Sequence, residues 1–270
     1  MRFQAQGCTD VGRVKDTNQD SFLIEIADTP LEDVALVAVA DGMGGLRKGE
    51  LASATAVRSM AKWFEEKLPL SLETFDSSVE GFQQFVEGQW SGFVQDLNLE
   101  IMRHGLAEGM SLGTTLTAML ALGARYSLVH VGDSRIYQIT DAAIERLTED
   151  QTFVRREIEA GRLTEEEAED HPQRNVLLQC IGSSKEVKPQ VSHGNIRKDA
   201  TYLLCSDGFR HVLSEDEMRQ SLCPSALDWD DEGSEAHPSA VLRRLIDAAM
   251  ERKERDNITA LLLRVRGEER

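Results

Sequence analysis

Residues 34–42 read Val34-Ala35-Leu36-Val37-Ala38-Val39-Ala40-Asp41-Gly42. An apolar, partly β-branched run that ends on an acid and a glycine is how a buried strand closed by a turn looks. The arrangement recurs along the chain. Asp20 stands before SFLIEI, Asp133 follows SLVHVG, Asp207 follows TYLLCS, and Asp256 precedes ITALLLRV. Carboxylates at the edges of buried strands are partly desolvated, and several gathered together would repel one another and shift toward protonation unless a cation neutralised them.

Such a cation site would be all oxygen, which suits Mg2+ or Mn2+; no histidine or cysteine cluster has zinc spacing. The bland reading of Asp-Gly at 41–42 and 207–208 is a hairpin turn with its usual residues, and for either pair alone that reading is stronger. Recurrence at strand ends across the whole chain weakens it. Gly42-Met43-Gly44-Gly45 leaves the backbone bare beside Asp41, so a carbonyl there can approach a cation. The segment Gly44-Gly45-Leu46-Arg47-Lys48-Gly49 lacks the spacing and the ending of a phosphate-cradling P-loop.

Outward from these strands, Glu50 to Leu68 carries Ala56, Met60, Phe64 and Leu68 four apart, predicting a helix with one buried face that Pro69 stops. Val79, Phe82, Val86, Trp90, Phe93, Leu97 and Ile101 predict a second long helix packed beside it. Thr114 to Ala121, Tyr126 to Val131 and Arg135 to Ile139 read as an antiparallel meander. Asp150 is placed to cap a short helix that Gly161 ends, and Thr164 with Glu167 forms a capping box. Further on come a strand at Tyr202 to Cys205, a helix capped by Ser214 and Glu217, an acidic loop over Asp228 to Glu235, a helix from Ser239 to Glu251, and a strand at Ile258 to Val265. Strands and helices in groups favour an antiparallel α+β layered fold over a doubly wound parallel sheet.

The 270 residues fit one domain with a sizeable core. A formal charge of −17 disfavours nucleic acid as a partner. Cys8, Cys180, Cys205 and Cys223 are scattered and form no CxxC pair, so they read as reduced structural thiols. No signal-peptide pattern opens the chain and no run approaches ~18 apolar residues, so a cytoplasmic location, away from membranes, is expected. No coiled-coil seam stands out, and a monomer is expected.

In order along the chain stand Thr9-Asp10-Val11-Gly12 leading to Asn18-Gln19-Asp20, Asp41-Gly42-Met43-Gly44-Gly45, Gly113-Thr114-Thr115, and Val131-Gly132-Asp133-Ser134-Arg135. Leu147-Thr148-Glu149-Asp150, His171-Pro172-Gln173-Arg174-Asn175, Ser206-Asp207-Gly208 and Asp256-Asn257-Ile258-Thr259 follow. Together these segments resemble the metal-dependent PP2C-type (PPM) serine/threonine phosphatases, in particular the compact bacterial ones, over essentially the whole chain.

The resemblance implies a four-layer αββα sandwich, two antiparallel sheets flanked by helices, as a single unit over residues 1–270 with a flap at about 150–181. It implies two Mn2+ or Mg2+ ions, with room for a third. Asp41 would bridge the pair, the Gly42 carbonyl would bind one ion, and Asp207 and Asp256 would hold the other. Asp20 resembles an acid acting through metal-bound water, and Asp133 with Asp207 resembles a third-metal site. Two cations on shared carboxylates can acidify a bridging water into a hydroxide for in-line attack on phosphorus. Phosphorylated Ser/Thr proteins would be the substrates and a Ser/Thr kinase the opposing partner.

Two departures matter. Lys15 stands where the family usually has an arginine gripping phosphate, so substrate would be held by a point charge rather than a fork, unless Arg13 serves instead. Met43 stands where eukaryotic members carry a histidine, and a thioether donates no proton; His130 and His171 read as a core and a loop residue. A covalent cysteine route lacks an adjacent base. A phosphoprotein-binding module without turnover and a small-metabolite phosphatase are the alternative functions.

Overall fold

The computed structural model of the chain describes residues 2–29, 32–43, 48–73 and 78–266. In chain order the elements are β1 (Arg2–Asp10), β2 (Asp20–Ala27), β3 (Val34–Met43), α1 (Gly49–Glu66), α2 (Leu68–Leu72), α3 (Val79–Ala107), β4 (Gly113–Thr114), β5 (Leu116–Leu122), β6 (Arg125–Val131), β7 (Arg135–Ile139) and β8 (Ile144–Arg146). Then come α4 (Phe153–Glu159), α5 (Glu165–Glu169), β9 (Gln190–Asn195), β10 (Thr201–Cys205), α6 (Asp207–Arg210), α7 (Glu215–Leu222), α8 (Pro238–Glu251) and β11 (Ile258–Arg266).

One antiparallel sheet has the order β1-β11-β10-β7-β8 and the other β2-β3-β5-β6-β9, with β4 on the end of β3. The alternation of β3 shows how they stack. Val34, Leu36, Ala38 and Ala40 pack with Ala56, Met60, Trp90 and Ile101 of α1 and α3. Ala35, Val37 and Val39 face inward with Leu261, Leu263, Tyr202 and Leu204 of the other sheet. On that sheet's far side Ile258, Ala260 and Leu262 pack with Val241, Leu242 and Ile246 of α8 and Met218 of α7. Both faces of each central strand are therefore dry, which is why these runs read as continuously apolar rather than alternating. The order of layers is helix, sheet, sheet, helix, as the sequence reading expects.

Three local expectations are corrected. Pro69 does not simply end a helix: α1 stops at Glu66, and the proline sits in the first turn of α2, where its missing N–H costs nothing. The expected meander is divided between sheets, because β6 pairs with β5 and β9 whereas β7 pairs with β10 and β8. Thr152, not Asp150, caps α4, its hydroxyl accepting from the Arg155 amide at 3.2 Å. Asp150 is engaged elsewhere, accepting two bonds from Arg135 at 2.8 and 2.6 Å.

Both expected capping boxes form, at Thr164–Glu167 and Ser214–Glu217. The acidic loop is not wholly exposed: Trp229 is buried beneath the Arg264 guanidinium, which lies 5.0 Å from its ring centroid. Residues 44–47, including the two glycines beside Asp41's turn, and the tail from 267 lie outside the described residues.

Leu261 belongs to the inter-sheet layer, whereas Leu106 is 77% exposed at the end of α3. Leu261→Ala should cost about 2–5 kcal/mol of unfolding free energy, and Leu106→Ala less than about 0.5 kcal/mol, by urea denaturation.

Candidate active site

The sandwich places the aspartates singled out in the sequence at one end. Asp20 opens β2 directly across from Asp41 near the end of β3. Asp133 follows β6, Asp207 opens α6 just past β10, and Asp256 precedes β11. Opposed carboxylates on neighbouring strands are unfavourable, so this end of the fold stores repulsion.

Polar bonds within and between the two sheets hold the arrangement. Ser206 Oγ donates to Asp20 Oδ2 at 2.8 Å and accepts from the Thr259 amide at 3.1 Å. Asn257 Oδ1 accepts from the Gln19 amide at 2.9 Å, while its Nδ2 donates to the carbonyls of Val11 and Thr17. Thr115 Oγ1 accepts from the Asp41 amide at 2.9 Å, and the Thr115 amide donates back to the Asp41 carbonyl at 2.8 Å.

Close backbone packing demands glycine twice. A Cβ at Gly42 would collide with the carbonyl oxygens of Gly49 and Gln19, and one at Gly208 with the carbonyl of Asn257. The second contact brings the Asp207 turn against the Asp256 turn.

Burial, then the neighbouring charges of Asp20, Asp207, Asp133 and Asp256, push the Asp41 carboxyl well above the usual range. Burial lifts Asp20 to about 7, with Asp207 and Asp256 adding to it and bonds from Thr259 and Ser206 opposing. Asp133 is likewise lifted to about 7 by burial and then Asp207, against Arg210. Asp207 is raised by burial, against His211 and Arg210. One oxygen each of Asp20 and Asp207 is buried with no hydrogen-bond partner.

Lys15 Nζ lies 2.8 Å from Asp256 Oδ1, both side chains over a third exposed. Burial works to lower its proton affinity, but Asp256, Asp41 and Asp207 outweigh it. Arg13 is exposed and, among the described residues, makes no hydrogen bond or ion pair with the aspartates.

Neither histidine considered in the sequence reaches the cluster. His130 is wholly buried, its Nε2–H donating to the Glu149 carbonyl at 3.0 Å and its Nδ1 accepting from Thr117 Oγ1 at 2.8 Å. Burial depresses it to about 4. His171 stacks on Phe153 in the segment 150–181. Burial lifts the Cys205 thiol to about 12, which removes it as a nucleophile.

Sequence reasoning missed three groups. Arg210 Nη2 lies 3.8 Å from Asp133 Oδ2 and 3.6 Å from Asp150 Oδ2. His211 lies 3.5 Å from Asp207 Oδ2 and 3.7 Å from Glu254 Oε2. Their signal was positional, since Arg210 and His211 stand three and four residues past Asp207, one helical turn on. Glu254 carried none.

The model of the family described as protein phosphatase 2C matches residues 12–246. The chain belongs to the protein phosphatase 2C family. A serine/threonine phosphatase of Listeria monocytogenes is 32% identical over 82% of this chain and 83% of its own. The serine/threonine protein phosphatase PstP of Mycobacterium tuberculosis is 33% identical over 97% of this chain, which spans 44% of that relative's length. Among solved structures, the serine/threonine phosphatase Stp1 of Staphylococcus aureus is similar with a TM-score of 0.81, 27% identity, and coverage of 99% of this chain and 96% of its own. The PstP catalytic domain, solved in complex with two manganese ions, has a TM-score of 0.75 at 28% identity, covering 98% of this chain and 99% of its own.

Phosphatases of this family use Mn2+ or Mg2+. Among the described residues no group of three or more His, Cys, Asp or Glu side chains could hold a metal ion as it stands. Asp256 is turned toward Lys15 and toward the Asn257 amide, which donates to it at 2.9 Å. The chemistry nonetheless fits the family's ions: hard oxygen donors, two of them buried without partners, in mutual repulsion that a divalent charge relieves.

The sign of the pH dependence follows. Asp20 and Asp133 hold protons to about 7 when folded against 3.8 ordinarily, so the folded state binds more protons and loses stability as pH rises from about 4 to 7. His130 works oppositely in part of that window, gaining stability above its depressed value. The test is therefore a difference. In chelator, Asp133→Asn should gain stability over wild type at pH 7.5 but not at pH 4, by urea midpoint, and Mn2+ should narrow the gap at pH 7.5.

Proposed function

We propose that the chain is a protein serine/threonine phosphatase that hydrolyses phosphoserine and phosphothreonine at a binuclear Mn2+ or Mg2+ site, acting as one catalytic unit over residues 1–270. The observation that carries this reading is the convergence of Asp20, Asp41, Asp133, Asp207 and Asp256 from both sheets onto one end, where burial and the neighbouring carboxylates raise the proton affinities of the first four. The names of the similar proteins support the substrate class.

Asp41, the Gly42 carbonyl, Asp207 and Asp256 would hold the ion pair, and Asp20 would act from the edge through water. When bound, such ions acidify water and offset the charge that grows on phosphorus and its oxygens. The chain supplies the rest. Ser206 fixes one oxygen of Asp20 and leaves the other free. Lys15 stands at the exposed rim beside Asp256, where an ammonium can meet a phosphate oxygen as a point charge. The segment 150–181 serves as the flap: Gln151 anchors it, its amide donating to the Gly132 carbonyl at 2.8 Å and its Oε1 accepting from the Gly132 amide at 2.9 Å, next to Asp133.

Asp207→Ala should lower Mn2+-dependent turnover of a phosphothreonine peptide and an aryl phosphate by more than the ~100-fold that loss of an outer-shell partner costs. Tight phosphopeptide binding by wild type without phosphate release would instead mark a binding module. A strong preference for a phosphorylated metabolite would mark a small-molecule phosphatase. Lys15→Ala should raise KM for the peptide by about tenfold, the value of one charge-assisted bond, with a smaller change in kcat. Lys15→Arg should lower KM, because it restores the fork.

A further inference from the structure

Arg210 ends α6, three residues past Asp207, and its side chain is only 13% exposed. Its Nη2 donates to the Asp133 backbone carbonyl at 3.2 Å and lies within ion-pair range of Asp133 and Asp150. Its Nε is buried without a partner, and so is Asp207 Oδ1. The guanidinium also lowers the proton affinity of both Asp133 and Asp207, so its charge is felt at both carboxylates. Behind it, a cavity of about 540 Å3 beneath the flap has Asp133, Asp150, Arg210 and His211 in its walls.

We propose that Arg210 is a built-in cation at the Asp133 end of the cluster, competing with any metal ion that Asp133 and Asp207 would share. This rests on the binuclear reading above and goes beyond it: the chain holds two ions firmly, and a third binds only as Arg210 withdraws into the cavity. A guanidinium cannot be deprotonated, so the competition persists at every working pH. Arg210 also faces Asp150, which is clamped by Arg135 at the start of the flap. A third ion therefore removes one of the two arginines that hold the flap's root.

The test is a Mn2+ titration of the full chain by calorimetry, with free Mn2+ counted by electron paramagnetic resonance and no substrate present. Wild type should show two strong sites and a weaker third. Arg210→Gln should tighten the third by at least about tenfold, as expected on removing a unit charge within ~4 Å, and Arg210→Lys, which keeps the charge, should leave it weak. The gain should vanish in Asp133→Asn/Arg210→Gln. Arg210→Met, which keeps the packing of the stem, replaces the glutamine variant if circular dichroism shows that one unfolded. An unchanged or weakened third site in the neutral variant, equal tightening by lysine, or a gain that survives loss of Asp133 overturns the inference while the two strong sites leave the phosphatase reading intact. Absence of any Mn2+ binding by wild type overturns both.

Discussion

The structure turns on repulsion between carboxylates that the strands force together. Asp20 and Asp41 face each other across a ladder, and Asp133, Asp207 and Asp256 arrive from neighbouring strand ends. Nothing local favours that crowding. It is sustained by the inter-sheet layer, where Val37, Leu261, Leu263 and Tyr202 are fully buried, by the bonds of Ser206 and Asn257 that stitch the ends of the sheets together, and by the bond of Thr115 that fixes Asp41 within its own sheet. Hydrophobic burial in the middle of the molecule thus supports an electrostatically strained rim, which is the usual division of labour in a functional site.

The positive groups around the cluster are of two kinds. Lys15 is exposed, mobile in its stem and paired with a single carboxylate, so it can exchange partners. Arg135 and Arg210 are half-buried and tied to Asp150, whose carboxyl is held at about 2 because their charges overcome the effect of burial. One kind suits an incoming anion; the other sets the shape of the wall.

Much of this was legible in the residues. Runs such as Val34 to Ala40 are apolar on both faces because each central strand is covered twice, and acids at their ends stand out against that background. Sheet membership was not legible: β6 and β7 are joined by a short turn, yet the positive φ of Gly132 and the buried Ser134 carry the chain from one sheet to the other. The edge strand β9, Gln190-Val191-Ser192-His193-Gly194-Asn195, is too polar to announce itself and exists because β6 offers it a partner. Asp150 looked like a helix cap because the short acid before a helix is a common signal, but the half-buried Arg135 of β7 outbid the helix amides. Arg210 and His211 were overlooked for a related reason: Ser206-Asp207-Gly208 drew attention as a motif, and the residues one turn later acquire meaning only when β6 lies alongside.

Gln151 has a role beyond anchoring. Besides its two bonds with Gly132, its Nε2 donates to the His130 carbonyl, its Oε1 accepts from Gln179 Nε2, and its backbone carbonyl accepts from the Leu178 amide. One side chain and its peptide thus gather the start of the segment 150–181, its end and the strand beneath into a single knot. Everything between, α4, α5 and the connection through His171, hangs from that knot and contributes few buried side chains of its own. Such a segment can be exchanged much as a replaceable cassette is, reshaping the rim while the carboxylates behind it keep their places.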